Sequence, residues 1–403
     1  MRDVEELLRD TLTDPRRRVE PAGGMYETVS RRAHTIRRNR WAFASATTAV
    51  VAVIASAATI VTSSPGHRAQ PGQQNSSTAI GTTPGQPSTA PHGAVGSAVN
   101  VGDGWPSDAV STAGGLYVLT NNPSQIVKLD TAGSRVLATA PAPSQYGGVT
   151  VGDGRVWVWT QTPGELHVFD ADTLAPLGVY TTGTDLFEVA EVDGYVYLTS
   201  GHGLLRASVA ALPGQPTATH PGGAPLAASK VADVEGGTYG IAADPARHRV
   251  LVGVMPIGSA PTNGFAGVRV VAIDARTGKV VAQSPQTSVG KESIAVVGDQ
   301  VWVGGYGDTD KSRLLHLNAA TLKVVGTSPV GDSVGPGAIL WPGEKVLWVR
   351  NGGDTTLSCV DPKTGAVLEQ WLAVQGPVVS TTGHAFGIQA GLQPLVLNGA
   401  CAG

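Results

Sequence analysis

Cysteine is scarce in this chain of 403 residues, which contains only Cys359 and Cys401. The absence of any CxxC pair or Cys/His cluster argues against a zinc-binding domain. The HExxH motif is missing too, so this signature of zinc peptidases does not occur. Charged residues make up 15 % of the chain, and no lysine and arginine stripe marks a nucleic-acid surface. We therefore predict no catalytic residue, metal site, cofactor or nucleic-acid partner.

Helical periodicity is also lacking between the short apolar runs that fill most of the chain. Residues 293–331 show the pattern, with four apolar runs at 294–297, 301–303, 314–317 and 324–327 separated by glycine and Asx turn residues. No segment of ten or more residues between these runs has a 3.6-residue period. The pattern predicts a four-stranded antiparallel unit and excludes βαβ units.

Copies of this unit recur from residue 105 to the end. Each copy has a large, usually aromatic, residue in its second run and a polar turn residue after its third. The first set is Tyr117, Trp157, Tyr197, Leu251, Trp302, Trp348 and Phe386. The second set is Asp130, Asp170, Ser208, Asp274, Asn318, Asp361 and Asn398. A repeat of about 40 residues is typical of propellers, so we predict an all-β, seven-bladed β-propeller over residues 98–403.

Two repeats deviate from this pattern. The fourth is enlarged by an insertion around Met255–Gly267, and a long connection, Gly222–Gly237, precedes it. The last repeat ends without a fourth strand. We therefore expect Ala98–Val101 to supply that strand and close the ring.

Basic charge is confined to the first 40 residues, which carry net +3 although the whole chain is at −3. Residues 1–40 are expected to form short helices in a cytoplasmic segment. The arginines near its end serve as topology signals or, alternatively, as a docking site for a cytoplasmic partner or anionic lipid.

Residues 41–62 are predicted to be a transmembrane helix, because Ala42–Thr62 contains no charged residue and is long enough to span a bilayer. A cleaved secretory signal with Ala55–Ala57 as its cleavage site is the alternative. The arginines before the span place the N-terminus in the cytoplasm and the propeller outside the membrane. Residues 63–97, rich in Pro, Gly, Ser and Thr, are predicted to be a disordered linker.

Loops that precede each first strand are the predicted ligand-facing rim, because loops from every blade converge around the axis. The rim candidates are polar or aromatic residues at these junctions: Tyr146, Asp185, Glu188, Tyr239, Lys291 and Glu292. Ordinary solvated loop residues are the alternative interpretation.

Cys359 and Cys401 are a candidate disulfide, since both lie in the predicted exported region and neighbouring blades could bring them together. The alternative is a buried thiol and a disordered terminal one.

Residues 116–122 (LYVLTNN), followed by an apolar strand ending in Asp130, resemble the YVTN-type propeller repeat. This resemblance covers residues 105–403 and implies a fold without specifying an activity. Residues 272–279 also resemble the docking motif of quinoprotein dehydrogenases, but Ala282 stands at the position of that motif's final tryptophan. The Asp-Thr-Gly pattern of this stretch, Asp274, Thr277 and Gly278, is explained more economically as turn chemistry.

The function favoured by the sequence is a membrane-anchored, extracytoplasmic propeller that binds a protein, glycan or small ligand. One alternative is an exported enzyme of the lyase or hydrolase type, with its site at the central channel. Another is signalling through the basic cytoplasmic segment.

Overall fold

Seven antiparallel sheets follow one another along the chain in the computed structural model. It describes residues 94–98 and 101–401 apart from 144–145, 213–222, 232, 256–267, 288–292, 307–310, 335–338, 344, 351–355, 372–373, 375, 382–383 and 399–400. Within the described residues, the first strands of successive sheets contact one another in a closed ring. The other strands of each sheet follow outward in order. This architecture confirms the predicted seven-bladed propeller.

The first three blades and the strand that precedes them take up the first half of the described chain. Their strands are β1 (Ala94–Ala98), β2 (Trp105–Thr112), β3 (Gly115–Asn121), β4 (Gln125–Leu129), β5 (Val136–Pro141), β6 (Tyr146–Gly152), β7 (Arg155–Thr160), β8 (Glu165–Asp170), β9 (Pro176–Thr181), β10 (Val189–Val192), β11 (Tyr195–Ser200), β12 (Gly203–Ser208), β13 (Ala224–Pro225) and β14 (Ser229–Lys230).

Blades four to seven follow. Their strands are β15 (Gly237–Asp244), β16 (Arg249–Met255), β17 (Arg269–Asp274), β18 (Val280–Gln283), β19 (Ser293–Val297), β20 (Gln300–Tyr306), β21 (Lys311–Asn318), β22 (Val324–Val334), β23 (Ile339–Pro342), β24 (Leu347–Arg350), β25 (Leu357–Val360), β26 (Val367–Trp371), β27 (Val378–Thr381), β28 (His384–Gln389) and β29 (Gln393–Asn398). Among the described residues, two 3-10 helices span Val209–Ala211 and Pro245–Arg247.

The recurring large residue of each second strand is at most 2 % exposed and packs toward the next blade. Tyr117 donates its hydroxyl hydrogen bond to the Ala171 carbonyl at 2.7 Å, and Tyr197 donates to the Ala275 carbonyl at 2.9 Å. Both acceptors lie in the turn that follows the third strand of the next blade. The two sequence markers therefore recur together because they meet at the interface between blades.

The polar residue after the third strand of blade four, Asp274, stabilises the turn through its side chain. Asp274 Oδ1 accepts hydrogen bonds from the Thr277 backbone N–H at 2.7 Å and from the Thr277 hydroxyl at 2.7 Å. These bonds, that to the backbone first, hold the pKa of Asp274 below its usual range. Asn318 makes the equivalent bonds to Thr321. Turn chemistry therefore accounts for the Asp-Thr-Gly pattern that resembles the quinoprotein motif.

An N-terminal strand closes the ring, at a position slightly different from the predicted one. Strand β1 pairs with β29, with Ala94 opposite Asn398 and Ala98 opposite Leu395. The predicted strand, Ala98–Val101, begins too late in the sequence. Residues 94–98 occupy the edge of β29, and the pairing ends at Ala98. The Val101 N–H instead donates to the Leu392 carbonyl in the β28–β29 hairpin. The propeller sheet therefore begins at Ala94, four residues before the predicted boundary at 98.

A disulfide joins Cys359 to Cys401, with their Cα atoms 6.3 Å apart. Cys359 lies in the third strand of blade six, directly opposite Trp348. Lys128 holds the same place opposite Tyr117 in blade one, and its ammonium donates to the Ala171 carbonyl of the next blade at 2.9 Å. The disulfide thus replaces a polar contact between blades with a covalent one, at the blade where the chain ends.

The connection after β12 does not pass directly to blade four. Strand β13 first pairs in parallel with β9, as a fifth strand on the outer edge of blade two. Strand β14 then pairs with β12 and completes blade three. The segment covers two sheet edges that would otherwise present unpaired backbone groups.

The predicted segments 1–40 and 41–62 lie outside the described residues, as does most of the predicted linker. The residues at 256–267, which form most of the predicted insertion in blade four, are outside them too. Within the described ranges, no helix has the length and apolar character needed to cross a membrane.

Candidate functional site

The propeller has two faces with different residues. We call the face that carries the connections between blades and the hairpins between second and third strands the connection face. The opposite face, with the other hairpins and the Asx turns, is the turn face. The chain enters the propeller on the turn face, because Ala94 pairs with Asn398 at the end of β29.

Large hydrophobic side chains are exposed at the connection-face ends of two first strands. Trp105, the first residue of β2, is 51 % exposed, and Ile339, the first residue of β23, is 44 % exposed. Only the first strand of blade seven lies between these two strands in the ring. The other exposed large hydrophobics among the described residues, Leu137, Val281, Val324 and Val325, lie in fourth strands on the outer wall.

An aromatic pair lies on the same face at blades three and four, separated from Trp105 by blade two and from Ile339 by blade five. The rings of Phe187 and Tyr239 stack with centroids 5.4 Å apart and an interplanar angle of 5°. The Trp159 indole N–H donates to the Phe187 carbonyl at 2.9 Å and fixes this connection to blade two. Exposed Asp233 and Glu235 lie in the connection that leads to Tyr239. The connection face therefore combines apolar and aromatic groups with negative charge.

The predicted rim residues differ in where they lie and in whether the structure describes them. Asp185, Glu188 and Tyr239 all lie at connection-face junctions, the first two before β10 and the third near the start of β15. Tyr146 begins β6 at such a junction, but its side chain is not described. Lys291 and Glu292 lie outside the described residues.

Glu188 holds two blades together. Its Oε2 accepts a hydrogen bond from the Ile241 backbone N–H in the first strand of blade four, at 2.9 Å. Asp108 of blade one makes the same kind of contact, since it accepts a hydrogen bond from the Val149 N–H of blade two at 2.9 Å. Glu188 therefore belongs to the inner ring of contacts between blades.

Arg350 has a comparable role between blades six and seven. Its guanidinium donates to the carbonyls of Gly376 at 2.7 Å and Val374 at 3.4 Å, in the connection between these blades. Burial lowers the pKa of Arg350 to about 10. Arg350 therefore fixes the connection next to Ile339.

An open cleft of about 530 Å³ lies on the connection face between blades two and three. It is lined by residues 182–185 of the connection, Ser200 and His202 of the β11–β12 hairpin, Leu205 of β12 and Lys230 of β14. The lining is mostly polar and contains charged groups of both signs.

Hydrogen bonds within the protein hold both walls of the cleft. The Thr182 hydroxyl donates to the Gly164 carbonyl at 2.9 Å, and the Thr162 hydroxyl donates to Asp185 Oδ1 at 3.0 Å. On the other wall, the Ser200 hydroxyl donates to the Gly203 carbonyl at 2.8 Å. The walls are therefore formed before any ligand binds.

Sequence reasoning missed several residues of this surface. The repeats begin at Trp105, but its exposure depends on packing that no local pattern encodes. Lys230 and His202 come together only because β14 returns to blade three. The unusual length of the Gly222–Gly237 connection was the one available signal.

The turn face differs in that charged groups are paired both within a blade and across blades. Arg249 Nε donates to Asp244 Oδ2 at 2.8 Å, and both side chains are buried. The Arg249 guanidinium also donates to the Ala319 carbonyl of blade five. Asp193 contacts Arg276 Nε at 3.1 Å. In the described part of the chain, no three His, Cys, Asp or Glu residues are grouped so that they could hold a metal ion.

No protein-family model matches this chain, and no curated protein matches its sequence. The fold is similar to that of hydrazine synthase from Kuenenia stuttgartiensis, with a TM-score of 0.57 and 10 % identity over 75 % of this chain and 98 % of that one. The WD40 domain of Toxoplasma gondii coronin is similar with a TM-score of 0.51 and 9 % identity, over 78 % and 90 % of the two chains. The computationally designed protein Ika8 has a TM-score of 0.50 and 10 % identity, over 75 % and 98 %. At such identities, these similarities show the propeller fold alone.

Proposed function

We propose that this chain is a membrane-anchored, extracytoplasmic scaffold of the YVTN propeller type, whose connection face binds a protein partner. The observation that carries the proposal is the exposure of Trp105 and Ile339 at the ends of first strands, on the same face as the stacked Phe187 and Tyr239. Tryptophan and tyrosine are enriched at the energetic centres of protein interfaces. These side chains would anchor the partner around the channel mouth.

Charge indicates what kind of partner fits. Asp233 and Glu235 are exposed in the connection that leads to Tyr239. A partner that presents an apolar side chain flanked by lysine or arginine would complement this surface, and opposite charges would also speed the encounter.

Site-specific photo-crosslinking tests the binding surface. A benzoyl-phenylalanine at position 105 of the full-length chain should give one discrete adduct in intact cells. The matched control is position 320, an exposed alanine in the blade-five Asx turn, and it should give none. Charge reversal at Asp233 and Glu235 should reduce the adduct from position 105. Equal adducts from positions 105 and 320 would exclude the connection face as the specific binding surface.

Protease treatment of intact, wall-stripped cells tests the anchoring separately. It should remove the propeller and leave residues 1–40 protected. A soluble propeller that begins near Ser56 would show a cleaved signal instead and would overturn the anchored arrangement.

A further inference from the structure

The outer edges of three blades carry proline at one matched position. The position is that of Thr181 in blade two, which lies opposite Glu165 of the third strand. The residues in its place are Pro141 of blade one, Pro285 of blade four and Pro329 of blade five. Proline has no N–H to donate to a further strand, so it protects these three edges from strand addition.

Blade two has no proline at this position, and its edge accepts a further strand. Strand β13 pairs in parallel with β9, with Pro225 beside Thr181. The Leu226 N–H donates to the Thr181 carbonyl at 2.8 Å. The outer edge of a blade can therefore bind an extended segment through backbone hydrogen bonds.

Blade six has neither the proline nor a fifth strand among the residues that the structure describes. Strand β26 is its outermost strand there, and residues 367–373 contain no proline. Trp371 lies opposite Leu357, as Tyr180 lies opposite Leu166 in blade two. The edge of β26 thus presents its backbone groups in the register in which β9 binds β13.

A buried carboxylate lies on this strand. Glu369 is 9 % exposed, and its Oε2 has no hydrogen-bond partner among the described residues. The matching residue in blades one, two, four and five is always small: Ala138, Gly178, Ala282 and Gly326. A buried carboxylate oxygen without a partner costs free energy, which a hydrogen-bond donor from an added strand would recover.

The register of blade two indicates where that donor comes from. Ala224 pairs with Tyr180. A strand added to β26 in the same way therefore places one residue beside Trp371 and the residue two positions earlier beside Glu369. Neighbouring strands lie about 4.8 Å apart, so a lysine or arginine at the earlier position can reach the carboxylate.

We infer that the outer edge of blade six binds an extended segment of a partner protein as a fifth strand, parallel to β26, with a lysine or arginine bonded to Glu369. The peptide backbone supplies affinity, and the charge pair fixes the register of the added strand. This surface is on the outer wall, because β26 is the strand farthest from the axis in its described sheet. The inference is independent of the partner proposed for the connection face.

Fluorescence anisotropy of the full-length protein with the fluorescein-labelled peptide Thr-Lys-Thr-Ala-Thr-Val-amide tests the charge pair. The peptide lysine lies beside Glu369 when its alanine lies beside Trp371. A peptide with methionine in place of the lysine should bind about tenfold more weakly, the factor that one hydrogen bond to a charged group supplies. Glu369→Gln should weaken the lysine peptide by a similar factor and leave the methionine peptide unaffected. The matched control Asp172→Asn, whose parent side chain is 92 % exposed on blade two, should change neither affinity.

Two N-methylated peptides separate strand addition from simple attraction between charges. The Leu226 N–H faces β9, so the N–H groups of the matching peptide valine and of the alanine before it face β26. N-methylation of the alanine should abolish binding. N-methylation of the threonine between them removes an N–H that faces solvent and should leave the affinity unchanged. Binding of the unmodified peptide should also slow amide hydrogen exchange in residues 367–371.

Four results would overturn the inference. They are no binding of the lysine peptide at about 1 mM, equal affinities of the lysine and methionine peptides, equal affinities of the two N-methylated peptides, and unchanged hydrogen exchange in residues 367–371 at saturation. An unchanged melting temperature of Glu369→Gln ensures that lost binding does not report unfolding.

Discussion

The two faces of the propeller use polar groups in opposite ways. On the turn face, Arg249 and Asp244 are buried together, and hydroxyl or cationic side chains reach the carbonyls of the next blade. On the connection face, Trp105 and Ile339 are exposed, and Lys230 has no described partner for its charge. The contrast shows that contacts on the turn face stabilise the ring, while much of the connection face remains available to other molecules. Glu188 and Arg350 are exceptions, because they join blades on the connection face.

The largest effect on stability is expected for Arg249→Met. Among the described residues, this change leaves the buried carboxylate of Asp244 with Arg247 as its remaining cationic partner, whose Nη1 lies 3.3 Å from Asp244 Oδ1. Loss of one partner from a buried ion pair costs about 3 kcal/mol or more. Thermal unfolding should show a clear decrease in melting temperature. The control Arg276→Met removes an exposed arginine from the same face and should cost less than about 1 kcal/mol; equal melting of both variants would contradict the assignment of Arg249.

The next effect is expected for Cys401→Ser. The Cys359–Cys401 bond closes a sequence separation of 42 residues, and such a bond contributes roughly 2–4 kcal/mol. The variant should melt below the oxidised parent and together with the reduced parent. If all three forms melt at one temperature, the bond does not stabilise the seventh blade.

A smaller effect is expected for Tyr197→Phe. The Tyr197 hydroxyl donates to the Ala275 carbonyl of blade four, and burial raises its pKa to about 12. Its removal should cost about 1 kcal/mol, measured by denaturant unfolding. Tyr195→Phe is the control, since its ring keeps the contact with the Arg206 guanidinium, at 3.6 Å from the ring centroid. A larger loss from Tyr195→Phe than from Tyr197→Phe would refute this view of the blade interface.

The smallest effect concerns pH. The folded pKa of Asp274 is lowered from about 3.9 in an unfolded chain, so the unfolded state binds the proton more readily. The stabilisation is complete above that value and is lost as the pH falls through the folded pKa. Asp274→Asn keeps the acceptor, as Asn318 does in blade five, but cannot titrate. Its melting temperature should therefore fall less between pH 7 and pH 3 than that of the parent; an equal fall would show that this turn does not contribute.

The number of blades could be predicted from sequence because the two recurring residues have a structural reason to recur with the blade. Tyr117 recurs with the Asx turn of the next blade because the two are hydrogen-bonded, and this contact repeats with the blade. The closing strand was misplaced because Ala94–Ala98 resembles the linker in composition. Only the register with β29 identifies it as a strand.

The candidate surfaces could be predicted only in part. Asp185 and Tyr239 follow from their positions at strand junctions, which the repeat pattern locates. The pairing of β14 with β12 depends on a strand of two residues, Ser229–Lys230, and no periodicity can show in so short a segment. The sequence therefore could not show that Lys230 and His202 line the same cleft, although the connection is visibly long.

The most direct test of the division between the faces measures stability and binding together. With the photo-crosslinker at position 339, Trp105→Ser should change the free energy of unfolding by less than about 0.5 kcal/mol and abolish the adduct. The turn-face variant Arg276→Ser should keep the adduct at the parental yield. An adduct at full yield from Trp105→Ser, or a loss of stability as large as that of Arg249→Met, would contradict the account.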